Sequence, residues 1–247
     1  MAGQRDNLRK DVLFIGGLLV IAVALVLYLV MKPSGEDTPT AQPSTPTITA
    51  PTGGAQAPAA GDQSALRVER RLDNDPLALG DPGAPVAMVM FADYRCPFCA
   101  KFSRDTEPEL VARFIDSGVL RLEWRDFPIF GEQSMLAARA GRAAAEQGKF
   151  WEFNKAVFAV APERGHADLT EDALLGFADQ AGVPDLDAFA AGMRGDAFDA
   201  AINTDLSEAT SIGVPSTPAF ILNGTPMLGA QPTADFVAAI EDANAQS

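Results

Sequence analysis

The chain has 247 residues, with 33 Asp or Glu against 19 Lys or Arg and a formal net charge of −14. Nearly all of that negative charge lies beyond residue 63, which argues against a nucleic-acid-binding face and reads as solubility. Only two cysteines and one histidine are present, too few donors for a structural zinc, which takes about four ligands.

Val12 to Met31 is an apolar run without a charged residue. About 20 residues at about 1.5 Å rise cover about 30 Å, the thickness of a bilayer's hydrocarbon core. Arg5, Arg9 and Lys10 precede the run, and only Lys32 follows it before Glu36 and Asp37. That bias predicts one transmembrane anchor at 12–31, a cytoplasmic stub at 1–11, and everything later outside the cytoplasm. A cleaved signal peptide is the competing reading, but its apolar region is shorter, about 7–15 residues. Both readings export the rest of the chain. A lipoprotein signal is excluded, because no cysteine lies near the run. Residues 32–63 are rich in Pro, Thr, Ala, Gly and Ser and bury too little to fold. They read as a disordered linker that reaches about 30 Å as a coil and roughly 100 Å when stretched. Residues 64–247 then form one domain with enough chain for a substantial core.

Leu66 to Leu72 reads as a short first strand, and Asp75-Pro76 and Gly80-Asp81-Pro82-Gly83 carry turn chemistry. Pro85 to Tyr94 is uncharged until Asp93 and suits a central strand buried on both faces. A helix is expected from Cys96, with Phe102, Leu110, Val111, Phe114 and Ile115 as its apolar stripe. Pro108 predicts a kink in it and Gly118 its end. Val119 to Phe127 alternates apolar and charged residues and predicts a strand with one face less buried. Ser134 to about Ile212 has Ala-rich helical periodicity, broken near Gly148, Pro162–Gly165, Gly182–Pro184 and Gly195, which predicts four or five helices. Ala219 to Leu222, Asn223-Gly224 and Pro226 to Leu228 read as a hairpin. Thr233 reads as the cap of a last helix, Ala234 to about Asn244. Trp124, Trp151 and Phe127 read as core.

The two cysteines stand together as Cys96-Pro97-Phe98-Cys99, between the strand-like run and the helical pattern. That is the signature of a thiol–disulfide redox site. At i and i+3 of a helix the two thiols share a face within disulfide reach. Cys96 at the helix start meets unpaired N–H groups and the positive end of the helix dipole, which favour a thiolate and lower its pKa. Pro97 suits the first helical position. A stable thiolate is a good leaving group, and the more the reduced form is stabilised, the more oxidising the pair. Cys99 is expected to be less exposed and to resolve the mixed disulfide. Arg95 either adds positive charge near Cys96 or points to solvent. A purely structural bridge and half a zinc site are the competing readings of the motif. Zinc lacks ligands, since His166 reads as a distant loop residue.

Asn74-Asp75-Pro76 through Gly80, Ala84-Pro85-Val86, Phe91-Ala92-Asp93-Tyr94-Arg95-Cys96-Pro97-Phe98-Cys99, Arg125-Asp126-Phe127-Pro128, and Thr217-Pro218 ahead of a strand and an Asn-Gly turn together resemble the DsbA-like family of exported disulfide oxidoreductases. The resemblance covers residues 66–247 and is nearer the membrane-anchored Gram-positive branch than the soluble periplasmic forms. It implies an α/β thioredoxin fold with an inserted helical domain at about 132–212. It further implies a redox-active Cys96–Cys99 disulfide and a cis Pro218 beside it, with Pro215 as the rival proline. Thr217 would then offer its backbone to an extended substrate, with Pro97 and Phe98 also at the substrate surface. Neither a metal nor an organic cofactor is implied. The expected partners are unfolded exported proteins with free cysteines and a quinone-linked membrane protein that reoxidises the pair.

Two positions depart from the family pattern. Met90 stands where the family commonly carries a buried acid that takes the proton of the second cysteine. Strand alternation turns Asp93 the other way, and Glu123 on the neighbouring strand reads as solvated. Phe98 stands where strongly oxidising relatives often have His, and supplies apolar contact instead of charge. The expected function is an anchored, extracytoplasmic thiol–disulfide oxidase for exported proteins. The same fold run as a reductase, and a tethered peptide-binding chaperone with a structural disulfide, remain open alternatives.

Overall fold

A computed structural model of the protein describes residues 66–247. The predicted stub, anchor and linker lie outside the described residues. Among the described residues no helix is long and apolar enough to cross a membrane.

Strand β2, Val86–Ala92, is buried at all seven positions. It can be so apolar because it has a strand on each side and packed layers on each face. On one side lies β3, Leu120–Asp126, parallel to it; on the other lies β4, Ala219–Leu222, antiparallel. The two-residue β1, Ala78–Leu79, and β5, Thr225–Leu228, form the edges, giving the order β1-β3-β2-β4-β5. Asn223 (φ 43) and Gly224 (φ 89) turn β4 into β5, the backbone that makes Asn-Gly a hairpin signal.

The crossover from β2 to β3 runs through α1, Pro97–Asp105, α2, Glu107–Leu110, and one π turn, Val111–Ile115. Pro108 has no N–H to return to the carbonyl of residue 104, so the helix ends at Asp105 and restarts. Gly118, at φ 76, ends the crossover. Five helices then separate β3 from β4: α3 Glu132–Glu146, α4 Phe150–Ala159, α5 Glu171–Gln180, α6 Leu186–Arg194 and α7 Asp199–Ser211. The last helix, α8, Thr233–Ala245, closes the domain. This is a thioredoxin-like α/β fold with a helical insertion, as the element order predicts.

Residue parity divides the sheet. Met88, Met90, Ala92, Leu122, Trp124, Phe220 and Leu222 face the larger core, which also holds Cys96 and Cys99. There Phe102 of α1, Phe220 and Phe236 of α8 meet with ring centroids 4.7–5.2 Å apart. Tyr94 ties the sheet to the insertion, 5.1 Å from Trp124 and 5.5 Å from Phe158. Val89, Phe91 and Ile221 face the smaller core with Val68, Phe127 and Ala209.

Three sequence expectations need correction. Leu66 to Leu72 does not form a strand: the N–H groups of Arg70 and Arg71 donate to the Glu123 carboxylate at 2.9 and 2.8 Å instead of to a neighbouring chain. The charged face of β3 is not the less buried one. Arg121, Glu123 and Arg125 are 2%, 0% and 1% exposed, because Glu123 bridges both guanidiniums at 2.7 Å. Burial works against its charge, but the N–H of Arg70, both guanidiniums and the N–H of Arg71 outweigh it and hold the carboxyl at about 2. The last helix starts at Thr233 itself, after Pro232, and the Thr233 hydroxyl lies 2.9 Å from that of Thr106 rather than capping.

Candidate active site

Cys96 ends the turn after β2 in an extended conformation, φ −76 and ψ 119, and is the N-cap of α1, with Pro97 next. A proline loses nothing there, because the first N–H groups of a helix have no partner within it. The Cys96 sulfur accepts the Cys99 N–H at 3.4 Å, and the Cys96 thiol donates to the Thr217 carbonyl at 3.2 Å. The Thr217–Pro218 peptide is the cis bond among the described residues, so Pro215 is not the cis proline. Pro218 leads into β4, and its carbonyl accepts the Gly229 N–H at 2.8 Å. The chain thus brings Cys96, Cys99, Pro97, Thr217 and Pro218 to one place at the carboxyl end of β2.

The two thiols, both free and buried, are electrically unlike. Cys96 is lowered from 9.0 to about 6. The Cys99 thiol, as a donor, is the largest cause; it outweighs burial, helped by the Thr217 hydroxyl and the Cys99 and Phe98 N–H groups. Cys99, 0% exposed, is pushed well up, first by burial, then by Cys96 and the charge of Asp93.

The surroundings revise several expectations. Asp93 lies beyond the end of β2, where strand alternation no longer governs direction, and it is buried beside the pair. Its Oδ1 accepts the Arg95 N–H at 2.8 Å, an Asx turn; its Oδ2 accepts those of Ile129 at 2.7 Å and Phe130 at 3.2 Å. Glu123 is not solvated, and it pairs in register with Val89, on the sheet face away from Met90 and the thiols. The Arg95 guanidinium goes neither to Cys96 nor to solvent: it donates to the carbonyls of Ala167 at 2.8 Å and Phe130 at 2.5 Å. His166 is not remote. Its ring stacks on Phe130 at 4.1 Å, and its Nδ1 is 3.4 Å from the Arg95 carbonyl. Phe98 is 57% exposed beside Cys96. Ile129 and Leu228, each 40% or more exposed, stand on the Asp93-bound loop and beside the Pro218 strand. Sequence reading missed those two, since a lone apolar loop residue carries no signal. Trp124 and Phe127 are core, and Trp151 packs against it. Among the described residues no group of three or more His, Cys, Asp or Glu side chains is placed to hold a metal.

A thioredoxin family model matches residues 73–242. A Bacillus cereus protein named probable disulfide bond formation protein D is 30% identical over 151 residues, 60% of this chain and 69% of that protein. The chain belongs to the thioredoxin family, in its DsbA-like branch. The structure of alpha-DsbA1 from Wolbachia pipientis is similar at TM-score 0.64 and 25% identity, covering 75% of this chain and 97% of that one. A Na(+)/H(+) antiporter NhaA of Salinispora tropica is 33% identical over 147 residues, but this chain spans only 21% of its length. The likeness is therefore to a part the size of one domain. This DsbA-like protein is a thiol–disulfide oxidoreductase.

Proposed function

We propose that the protein is an oxidase that donates the Cys96–Cys99 disulfide to exported proteins during oxidative folding. The observation that carries this reading is the unequal pair. A Cys96 sulfur held as a thiolate near pH 6 stabilises the reduced form and makes the disulfide oxidising. A client thiolate attacks Cys96 Sγ, the Cys96–Cys99 bond breaks, and Cys99 leaves and takes a proton. A second client thiolate then attacks the client sulfur of the mixed disulfide and expels Cys96 as a thiolate. The client ends oxidised and the pair reduced. Thr217 and Pro218 position the client backbone beside Cys96, and Pro97 and Phe98 border it. The exposed Phe98, Ile129 and Leu228 suit an unfolded chain, whose apolar side chains are still uncovered.

In this reading residues 12–31 anchor the protein in the cell membrane by a single pass, with the amino end cytoplasmic and the catalytic domain extracytoplasmic. A quinone-linked membrane protein takes the electrons. Trapping with Cys99→Ala tests the proposal. Mixed disulfides with exported proteins accumulate through Cys96, and the wild-type pair equilibrates with glutathione as an oxidant. A reducing potential would turn the reading to an exported reductase. An absence of covalent clients would turn it to a tethered chaperone.

A further inference from the structure

Two loops without helix or strand, residues 127–131 and 161–170, meet the turn that carries Cys96. The first is held on its N–H side by the end of β2 and the turn after it. Phe127 donates to the Ala92 carbonyl at 2.9 Å, and Ile129 and Phe130 donate to Asp93 Oδ2. The second is fastened near its two ends. Arg104 of α1 donates to the Ala161 carbonyl at 3.3 Å; the Gln133 amide of α3 donates to Asp168 at 2.7 Å and accepts the Leu169 N–H at 3.1 Å. Residues 162–166, between those ends, are exposed at every position.

Arg95 ties both loops to the turn from the position next to Cys96. Its guanidinium donates through Nε to the Ala167 carbonyl at 2.8 Å and through Nη1 to the Phe130 carbonyl at 2.5 Å. Its own N–H donates to Asp93 Oδ1 at 2.8 Å, and its carbonyl lies 3.4 Å from His166 Nδ1. The His166 ring in turn stacks on Phe130 with centroids 4.1 Å apart. Between Ala161 and Asp168, the hydrogen bonds of the second loop among the described residues are the ones made with Arg95. A planar fork reaches two carbonyls on different loops, which an ammonium at the end of one stem does not reproduce. A charged donor also makes the stronger hydrogen bond. The groups that chiefly lower Cys96 are the Cys99 thiol, Thr217 and the N–H groups of residues 98 and 99. The charge of Arg95 is thus engaged in the loops, not at the thiolate.

We infer that Arg95 is a positioning residue for client binding: its two-carbonyl clamp fixes residues 127–131 and 161–167 as one wall of the client surface beside Cys96. Ile129 and the Phe130–His166 stack stand on that wall. The inference rests on the oxidase reading for its client, an unfolded chain that approaches Cys96 along exposed apolar side chains. Ile129, 40% exposed, directly precedes the clamped Phe130. Without Arg95 the carbonyl side of that loop and the exposed run at 162–166 lose their shared tie, while Cys96, Cys99 and Pro218 keep their own bonds. Client affinity therefore depends on Arg95, and the acidity of Cys96 does not.

The test compares the full-length protein with Arg95→Ala and Arg95→Lys in turnover of reduced, unfolded ribonuclease A, with oxidised glutathione as the terminal oxidant. Both variants raise KM about tenfold, the scale of losing one Ile-sized apolar contact, and hold kcat within about twofold. Cys96 alkylation keeps its midpoint near 6, and amide exchange speeds up in 127–131 and 161–168 but not in α1. An unchanged KM in folded Arg95→Ala, or its restoration by Arg95→Lys, overturns the inference. A raised KM with both loops as protected as in wild type overturns it too, as does a Cys96 midpoint raised by about one unit. If neither variant folds, His166→Ala at its exposed position decides: a raised KM supports the clamped wall and an unchanged KM overturns it. A wild type that runs as a reductase is assayed on oxidised, unfolded client, and one without turnover by its affinity for carboxymethylated client. The same loss on removing Arg95 is read in each case, so failure of the oxidase reading is a separate result from failure of this one.

Discussion

Replacing Cys99 by Ala changes more than the resolving thiol; it removes the largest support of the Cys96 thiolate. The fall of Cys96 from 9.0 to about 6 corresponds to about 4 kcal/mol in favour of the charged form. A hydrogen bond to a charged group contributes about 1.5–3 kcal/mol, or about one to two pH units. The Cys99 and Phe98 N–H groups and the Thr217 hydroxyl stay in place, so Cys96 in Cys99→Ala is expected to ionise at about 7–8. The assay is the rate of iodoacetamide alkylation against pH, with thiolate absorbance as a check. Reduced wild type gives a midpoint near 6 and the variant one to two units higher. A wild-type midpoint near that of a free thiol refutes the stabilisation outright. An unchanged midpoint in the variant refutes its assignment to Cys99 and leaves the helix N–H groups as the cause. The same shift appears in stability. An acid whose folded pKa is depressed stabilises the fold above its unfolded pKa, and that contribution is lost as pH falls through the folded one. Relative to Cys96→Ala, reduced wild type gains about 2–3 kcal/mol between pH 5 and pH 8.

Glu123→Gln leaves Arg121 buried without its counter-charge and Arg125 with only Glu208 at 3.3 Å, and is expected to cost about 3–5 kcal/mol in urea unfolding at pH 7. Its wild-type stabilisation is present above about pH 4.5 and is lost as pH falls toward 2. Glu107 runs the other way. Burial, against the Ser103 hydroxyl and Lys155, raises it to about 7, so its contribution is present below about pH 4.5 and is lost as pH rises through 7. Glu107→Gln is therefore expected to stabilise the protein by about 1–3 kcal/mol at pH 8 and to be neutral at pH 4, measured by urea unfolding at both. Phe98→Ser removes a half-exposed apolar surface beside Cys96 and is expected to lower kcat/KM toward a reduced unfolded protein about 5–30-fold, mainly through KM.

Where the sequence carries a local physical signal, it is legible. The seven buried residues of β2, the Asn-Gly hairpin, the break at Pro108 and the five Ala-rich helices each follow from composition at close range. The Cys96-Pro97-Phe98-Cys99 element is legible for the same reason: cap, proline and resolving thiol are adjacent. What escapes is pairing across the chain. The alternating charges of β3 read as a wet face because nothing local says that Glu123 meets the N–H groups of Arg70 and Arg71, more than 50 residues away. Asp93 reads as facing away because the period-two rule was carried one residue past Ala92, where β2 ends. His166 reads as remote because only the fold brings the 160–170 loop to Arg95.

The grip of Glu123 on residues 70 and 71 has a practical side. Val68 packs into the smaller core, on the reverse of the sheet from Cys96. The leading segment is thus fastened behind the sheet and leaves the reactive face open. A truncation that begins before residue 66 keeps this clasp. One that begins after residue 71 strips two donors from a fully enclosed carboxylate and releases the ion pairs from Arg70 to Asp205 and Glu208, so such a fragment is a poor starting point for expression, whatever the state of its thiols.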